Sequence, residues 1–437
     1  MGESKLGLGG AAAIGLGGMI GGGVFSVLGV VVSIAGAASW AAFTAASLIS
    51  MCAAYSYIKL NEAGSNLGGS VTQLEEFVGN STLAGMIGWT LLVGYVGAMA
   101  MYAFAFGSFA VRLLPGWLAG SLPMRPVLSV IGVALFVGLN VAGARATGRS
   151  EEALVATKIS ILLIVSVWGL YYGWQQGAVS IGLSRMASVG LVTATAISFV
   201  SFQGWQLLVY DYDSIKDPLS TIPKAIYLSI VGAIIVDSLV AILVTSLVKT
   251  SVIQADPEIA VAHAVQPFLG HIGFVFIALA ALFSTGSAIN GTLFSAAHFA
   301  KGMLSDDLVP QKFGDADASG APERTLLLLG LVTAVFTAYG SLEGITSFGS
   351  LAFMVVFGVM SGLALYKRDE LDVDVNPVIP AIGLLGTAAF FPILLWHLYT
   401  TEWGVFLTVV ALAVAVVGVE VIYFERDTIV RGVEEEI

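Results

Sequence analysis

The stretch Gly17-Gly18-Met19-Ile20-Gly21-Gly22-Gly23-Val24-Phe25 puts five glycines into nine residues of the first long apolar run. Each interior glycine costs a helix about 1 kcal/mol relative to alanine, so three in succession argue against continuous helix. In a bilayer, broken backbone survives only where protein buries it or where it lines a cavity. Such a break leaves N–H groups on one half-helix and carbonyls on the other, a paired site for an anion and a cation. The competing reading is close helix packing, because Gly17/Gly21 and Gly18/Gly22 both fit the G-x-x-x-G spacing.

The rest of the chain sets the context. Its 437 residues are 57% hydrophobic and 11% charged, against about 25% charged in soluble domains, and mean hydropathy is +0.93. This composition predicts an all-α polytopic membrane protein seated in a lipid bilayer. A single cysteine, Cys52, excludes an internal disulfide and a cysteine metal cluster. The net charge of −11 argues against a nucleic-acid partner. No cleavable signal is expected, since the first apolar run is too long for a signal-peptide core.

Apolar runs of about 20 residues predict twelve transmembrane helices. They fall near 7–34, 37–60, 82–112, 126–144, 152–174, 189–211, 223–248, 271–300, 324–341, 343–366, 377–399 and 402–424. With both termini inside, Lys158 lies within a span and only Arg112, Arg125, Arg185 and Lys249 of the 18 basic residues fall outside. The remaining thirteen face the cytoplasm, the asymmetry of a cell-membrane protein with cytoplasmic ends. Residues 250–270 predict an outer loop with a short interfacial helix, and Glu434-Glu435-Glu436 a solvated tail.

The sixth run carries a second weak point, Ser198-Phe199-Val200-Ser201-Phe202-Gln203-Gly204-Trp205-Gln206. Spans one and six are therefore both expected to be discontinuous, five helices apart. Interruptions at corresponding places in two halves point to a midplane binding site between inverted repeats.

Lys158 sits in the fifth run, about 9 Å along a helix from Glu152 at ~1.5 Å per residue. One reading is a stem that snorkels to the inner interface. The other is a buried amine beside the helix breaks, able to exchange a proton. A buried ammonium needs carbonyl or hydroxyl partners, and Ser284 and Ser287 share one face of the eighth run. Small hydroxyl residues also serve plain helix packing. The four histidines show no metal-ligand spacing, and no phosphate-binding loop is present. Neither a metal nor a cofactor is expected, and no nucleophile–base pair marks an enzyme.

Taken in order, these residues resemble the amino acid–polyamine–organocation superfamily of transporters. Met19-Ile20-Gly21-Gly22-Gly23-Val24-Phe25 resembles its I-G-S-G-I-F signature. Leu67-Gly68-Gly69-Ser70 resembles G-G-x-Y without the aromatic, and Leu304 to Pro310 resembles A-R-D-G-x-L-P. Gly204-Trp205, Asp213 to Pro218 and Pro223-Lys224-Ala225-Ile226 resemble G-F…E-E…K-N-P…P-R-A-I, with Asp213, Ser214 and Lys224 as departures. The fifth-helix lysine is similar to that of archaeal proton-coupled amino acid transporters of this superfamily.

The resemblance implies a single transporter domain over 1–437. Two inverted five-helix repeats span about 7–174 and 189–366, with two additional helices at about 377–424. It also implies that the substrate carboxylate meets N–H groups at Gly21, Gly22 and Gly23. The substrate ammonium meets carbonyls near Met19, Ile20 and Phe199 to Ser201. The Lys158 amine takes the place of a sodium ion, against the Gly17 carbonyl and Ser284 or Ser287. The aromatic that closes over substrate in many relatives aligns with Val200, which cannot stack, leaving Phe199 or Phe202 for that part. The expected activity is amino acid transport, sodium-independent and proton-coupled, by alternating access. An exchanger on the same fold, or a non-transporting amino acid sensor, are the alternatives; the substrate's side chain and the oligomeric state stay open.

Overall fold

The computed structural model describes residues 5–65, 68–116, 123–143, 148–210, 212–309, 311–315 and 320–424. Leu67, Pro310 and the acidic tail lie outside the described residues, and the side chain of Asp213 is likewise not described.

The first apolar run folds as one rod. It comprises α1 (Leu8–Gly22), a π-helical turn (Gly23–Val27) and α2 (Leu28–Ala35). Gly22 (φ −80°, ψ −56°) and Gly23 (φ −58°, ψ −62°) keep helical geometry. The expected unwound gap is therefore absent here, and a π-turn stands in its place. Such turns lodge one extra residue in the winding and recur at functional sites. Gly36, at φ 59°, ends the rod, and a 3-10 turn (Gly36–Ala38) leads into α3 (Ser39–Ala63).

Next come α4 (Ser70–Val78), α5 (Ser81–Leu113), α6 (Met124–Val141) and α7 (Gly148–Gln175). Asn80 starts α5 by accepting the Leu83 N–H at 2.8 Å, and Ser188 starts α8 (Val189–Ile197) by accepting from Leu191 at 3.1 Å. The sixth run then changes winding. It tightens to a 3-10 turn at Ser198–Phe202, leaves helical geometry at Gln203 (ψ 154°) and Gly204 (φ 122°), and resumes as 3-10 at Trp205–Tyr210. Only glycine takes φ 122° without strain.

The second half holds α9 (Pro218–Leu247), α10 (Thr250–Ala255) and a 3-10 turn (Pro257–Ile259). Then follow α11 (Ala260–Ser305), α12 (Glu323–Tyr339), α13 (Leu342–Lys367), α14 (Val378–Thr401) and α15 (Trp403–Phe424). Gly270 (φ 63°, ψ −157°) kinks α11, so the predicted start of the eighth span at residue 271 is a bend within a longer helix.

Among the described residues, nine helical stretches are long and apolar enough to cross a bilayer. Burial sorts them: the apolar window of Val189–Tyr210 is 89% buried and that of Leu8–Ala63 83%, against 22% for Met124–Val141 and for Val378–Thr401. The two irregular runs thus form the centre, with Ser81–Leu113 and Leu342–Lys367 beside them. Peripheral helices turn residues such as Ile164, Trp174 and Leu385 outward, as lipid contact requires.

Near its N-terminus the chain is pinned by a short parallel bridge. Leu6 N–H donates to the Ser214 carbonyl and Lys216 N–H to the Leu6 carbonyl, both at 2.8 Å. Segments flanking the two central runs are thereby tied to each other.

Candidate functional site

Lys158 lies on α7 and is 8% exposed. Its Nζ donates to the Gly17 carbonyl at 3.0 Å, so its stem reaches across to helix one instead of down to the inner interface. The amine can use this carbonyl because a helical C=O keeps a second lone pair beyond its ladder bond. Ser284 is on the adjacent face of α11. Its backbone carbonyl stands 3.2 Å from where a Gly21 Cβ would be, while its Oγ is buried with no hydrogen-bond partner among the described residues. Ser284 therefore does not meet the lysine in this conformer, and Ser287 is half-buried one turn on.

The glycines of the opening stretch are used for close approach. A Cβ on Gly21 would stand 2.8 Å from Ala288 Cβ, and one on Gly22 2.8 Å from Tyr102 Cε1. One on Gly23 would stand 2.8 Å from Asp237 Oδ2, and one on Gly18 3.4 Å from Gly204 Cα. This last pair brings the two irregular runs together at one depth. The polar groups expected for a substrate are here paired with each other, since Gly23 N–H donates to the Met19 and Ile20 carbonyls.

In the sixth run Phe199, Val200, Ser201 and Phe202 are all buried. Val200 N–H donates to Ser350 Oγ at 2.9 Å, and that hydroxyl donates to the Ile197 carbonyl at 2.7 Å. Ser350 of α13 so supports the 3-10 turn from behind. Phe199 packs on Phe357 with ring centroids 5.8 Å apart and Phe202 on Phe43 at 6.4 Å. Ser201 Oγ is buried without a hydrogen-bond partner among the described residues.

Four further residues complete this centre. Gln203 donates to the Tyr102 hydroxyl, which donates to the Gly18 carbonyl at 3.4 Å. Gln206 donates from Nε2 to Gln203 Oε1 at 3.3 Å and accepts the Gly204 N–H through Oε1 at 2.7 Å. The network links helix one, α5 and the non-helical link of the sixth run. The glutamines were visible as polar interruptions, but nothing near Tyr102 in sequence marks it. Asp237, in the seventh run, is a further residue the sequence reading missed; its signal was an ionisable group inside an apolar span.

A cavity of about 470 Å³ is lined by Val30, Ser33, Arg125, Glu258, Glu343 and Glu402 among others. Arg125 donates to the Thr337 carbonyl at 2.6 Å, and His397 pairs with Glu343 at 2.7 Å. Among the described residues no cluster of His, Cys, Asp and Glu fits a metal ion.

Glu75 lies close enough to Asp306 to feel its charge. Burial raises the Glu75 carboxyl above its ordinary 4.5, with the Asp306 charge adding to the effect. Burial likewise raises Asp306 above 3.8, opposed by a Ser305 hydrogen bond. The folded protein binds these protons more tightly than the unfolded chain, so their contribution to stability falls as pH rises through that window. Asp306→Asn is expected to raise thermal stability at pH 7 by less than about 1 kcal/mol, because solvent screens the site. The gain should vanish below pH 3.8; thermal unfolding at the two pH values checks this.

A buried amine reaching between inner helices, beside backbone that changes winding at one depth, fits a multi-pass membrane transporter. Comparison with known proteins agrees. The family model described as amino acid permease matches residues 6–432, and the chain belongs to that family. It is 27% identical to the inner membrane transport protein YbaT of Escherichia coli, over 91% of each chain. It is 22% identical to the methylthioribose transporter of Bacillus subtilis, over 89% of this chain and 86% of that one. Human cationic amino acid transporter 4 is 25% identical over 79% of this chain and 56% of its own length. In fold, the crystal structure of the Eremococcus coleocola manganese transporter is similar, with TM-score 0.58 and 14% identity over 96% of this chain and 94% of that one.

Proposed function

We propose that the chain is a sodium-independent, proton-coupled symporter of neutral amino acids, working by alternating access in the cell membrane with both termini cytoplasmic. The observation that carries this reading is the Lys158 ammonium on the Gly17 carbonyl, a fixed cation bound to helix one where a metal cation would otherwise have to bind. Charged and neutral Lys158 then favour different conformers, because a proton shifts an equilibrium only by its differential affinity for the two states.

Twelve spans in two inverted five-helix repeats plus two helices fit the element order. Leu8–Ala63 is 56 residues long, ~84 Å at ~1.5 Å per residue, which is two crossings of a ~30 Å core turning at Gly36. Glu323–Tyr339 and Trp403–Phe424 supply the remaining two. The substrate's carboxylate would bind N–H groups of Gly21, Gly22 and Gly23, and its ammonium the carbonyls of Met19, Ile20 and the Phe199–Ser201 turn. Opening of the π-turn must free these groups. Phe199 or Phe202 would close the site. The apolar surroundings favour a neutral side chain.

The exchanger reading keeps one support: an amine that holds its proton throughout would serve as a permanent structural cation. Uptake of labelled neutral amino acids into proteoliposomes decides between them. Uptake driven by an inward proton gradient without sodium is the expected result. Uptake only after amino acid preloading overturns symport in favour of exchange.

A further inference from the structure

A second ionisable group stands in the bundle, and the transport reading above does not use it. Asp237 is the twentieth of the 30 residues of α9 and is fully buried. Neither carboxylate oxygen has a hydrogen-bond partner among the described residues. Both point at the π-turn, since a Cβ on Gly23 would lie 2.8 Å from Oδ2 and 2.9 Å from Oδ1. The neighbouring Ser238 turns elsewhere, to Thr44 at 3.4 Å.

α9 packs against α1, the π-turn, α2, α3, α7, α11 and the 3-10 turns Gly36–Ala38 and Trp205–Tyr210. Among the described side chains, α3 carries Cys52, Tyr55, Tyr57, Lys59 and Glu62, α7 carries Glu152, Lys158, Tyr171 and Tyr172, α11 carries His263, His271, His298 and Lys301, and the second 3-10 turn carries Tyr210; none of them hydrogen-bonds either Asp237 oxygen. Lys158 is committed to Gly17, six residues and ~9 Å along helix one from Gly23. An ionised carboxylate buried without donors is costly enough that the group takes up a proton instead.

The π-turn is the backbone whose winding sets what the carboxyl group faces. Gly23 N–H reaches back to Met19 and Ile20, whereas Leu28 N–H reaches back five residues to Gly23. Rewinding this segment to α-helix shifts it by one residue, a rotation of ~100°. Gly23 then leaves the carboxyl group and a different backbone surface faces it.

We propose that Asp237 is a second proton-binding site, whose carboxyl group is protonated against the π-turn and loses its proton when that turn rewinds. The link to transport rests on the proton-coupled reading, while protonation of Asp237 does not.

The test uses the full-length protein and two readouts. Infrared spectra at pH 7 should show a protonated-carboxyl C=O band that shifts on carbon-13 labelling of aspartate and is missing in Asp237→Asn. Labelling reads the wild type directly, so the measurement survives a variant that fails to fold. Wild type with no protonated aspartate band, or a band that persists in folded Asp237→Asn, overturns the site. In proteoliposomes, Asp237→Asn should lower proton-driven uptake of labelled neutral amino acids at least tenfold; undiminished uptake overturns the coupling. Wild-type uptake indifferent to the proton gradient, with the Asp237 band present, sinks the symport reading and the coupling together but leaves the protonated site in place.

Discussion

On the proton-coupled reading, Lys158→Ala is expected to lower concentrative amino acid uptake by about ten- to a hundredfold. The bond from the ammonium to the Gly17 carbonyl is charge-assisted and buried, and such bonds contribute about 1.5–3 kcal/mol, equivalent to roughly one to two decades in an equilibrium. Its loss removes a tie between α7 and helix one. The fold should survive, because α7 is largely peripheral and most of the side chain is aliphatic stem. Lys158→Met, which keeps the stem and removes the charge, should be equally impaired and unfold at nearly the wild-type temperature. Uptake measured across a pH gradient checks both variants. Flux in Lys158→Ala that still follows the gradient would falsify the role assigned to the amine.

Gly29→Ala destabilises the protein by about 3 kcal/mol, the upper end of overpacking costs. A Cβ at this position would stand 1.6 Å from the Pro257 carbonyl oxygen and 2.4 Å from its carbon. The obstruction is backbone, which cannot rotate aside as a side chain would, so α2 and the Pro257–Ile259 turn must separate. Gly291→Ala is the matched control: it lies within α11 with nothing inside 4 Å of its Cβ position. There alanine should be neutral or stabilise by up to about 1 kcal/mol through helix propensity. Thermal unfolding of the purified proteins separates the two. Equal melting temperatures would mean that the outer turn is not packed on helix one as described.

The glycine-rich stretch was readable both as a broken helix and as a packing face, and each reading holds a portion of the outcome. Gly18, Gly21 and Gly22 accept close neighbours as a packing face does, while the winding does change, beginning at the last glycine of the triplet and running from Gly23 to Val27. Composition alone could not choose, because glycine lowers the cost of both. The sixth run was less ambiguous. Its polar residues and Gly204 announced non-helical backbone, and φ 122° at Gly204 is what its glycine allows.

Lys158 was conspicuous as a lone base in an apolar run, but a lysine stem is long enough to reach either water or a neighbour. The approach of α7 to helix one selected the Gly17 carbonyl. Ser284 illustrates the reverse: helical spacing put it on the correct face, yet its hydroxyl bonds to nothing described, since a one-dimensional pattern carries no depth or rotamer.

The sequence by itself pointed to the membrane setting, placed most long helices within a few residues of their observed ends, though not the start of the eighth run, and marked the first and sixth runs as irregular. Those follow from local quantities: hydropathy summed over a bilayer thickness, and the intrinsic cost of glycine and polar groups in a helix. Only the tertiary structure decided what faces what. The clasp of Tyr102, Gln203 and Gln206, the support of Val200 by Ser350, and the carboxyl of Asp237 set against Gly23 all join residues from 100 to more than 200 positions apart. Such pairings depend on how whole helices rotate and cross, and that is fixed by packing over the entire bundle, not by any segment alone.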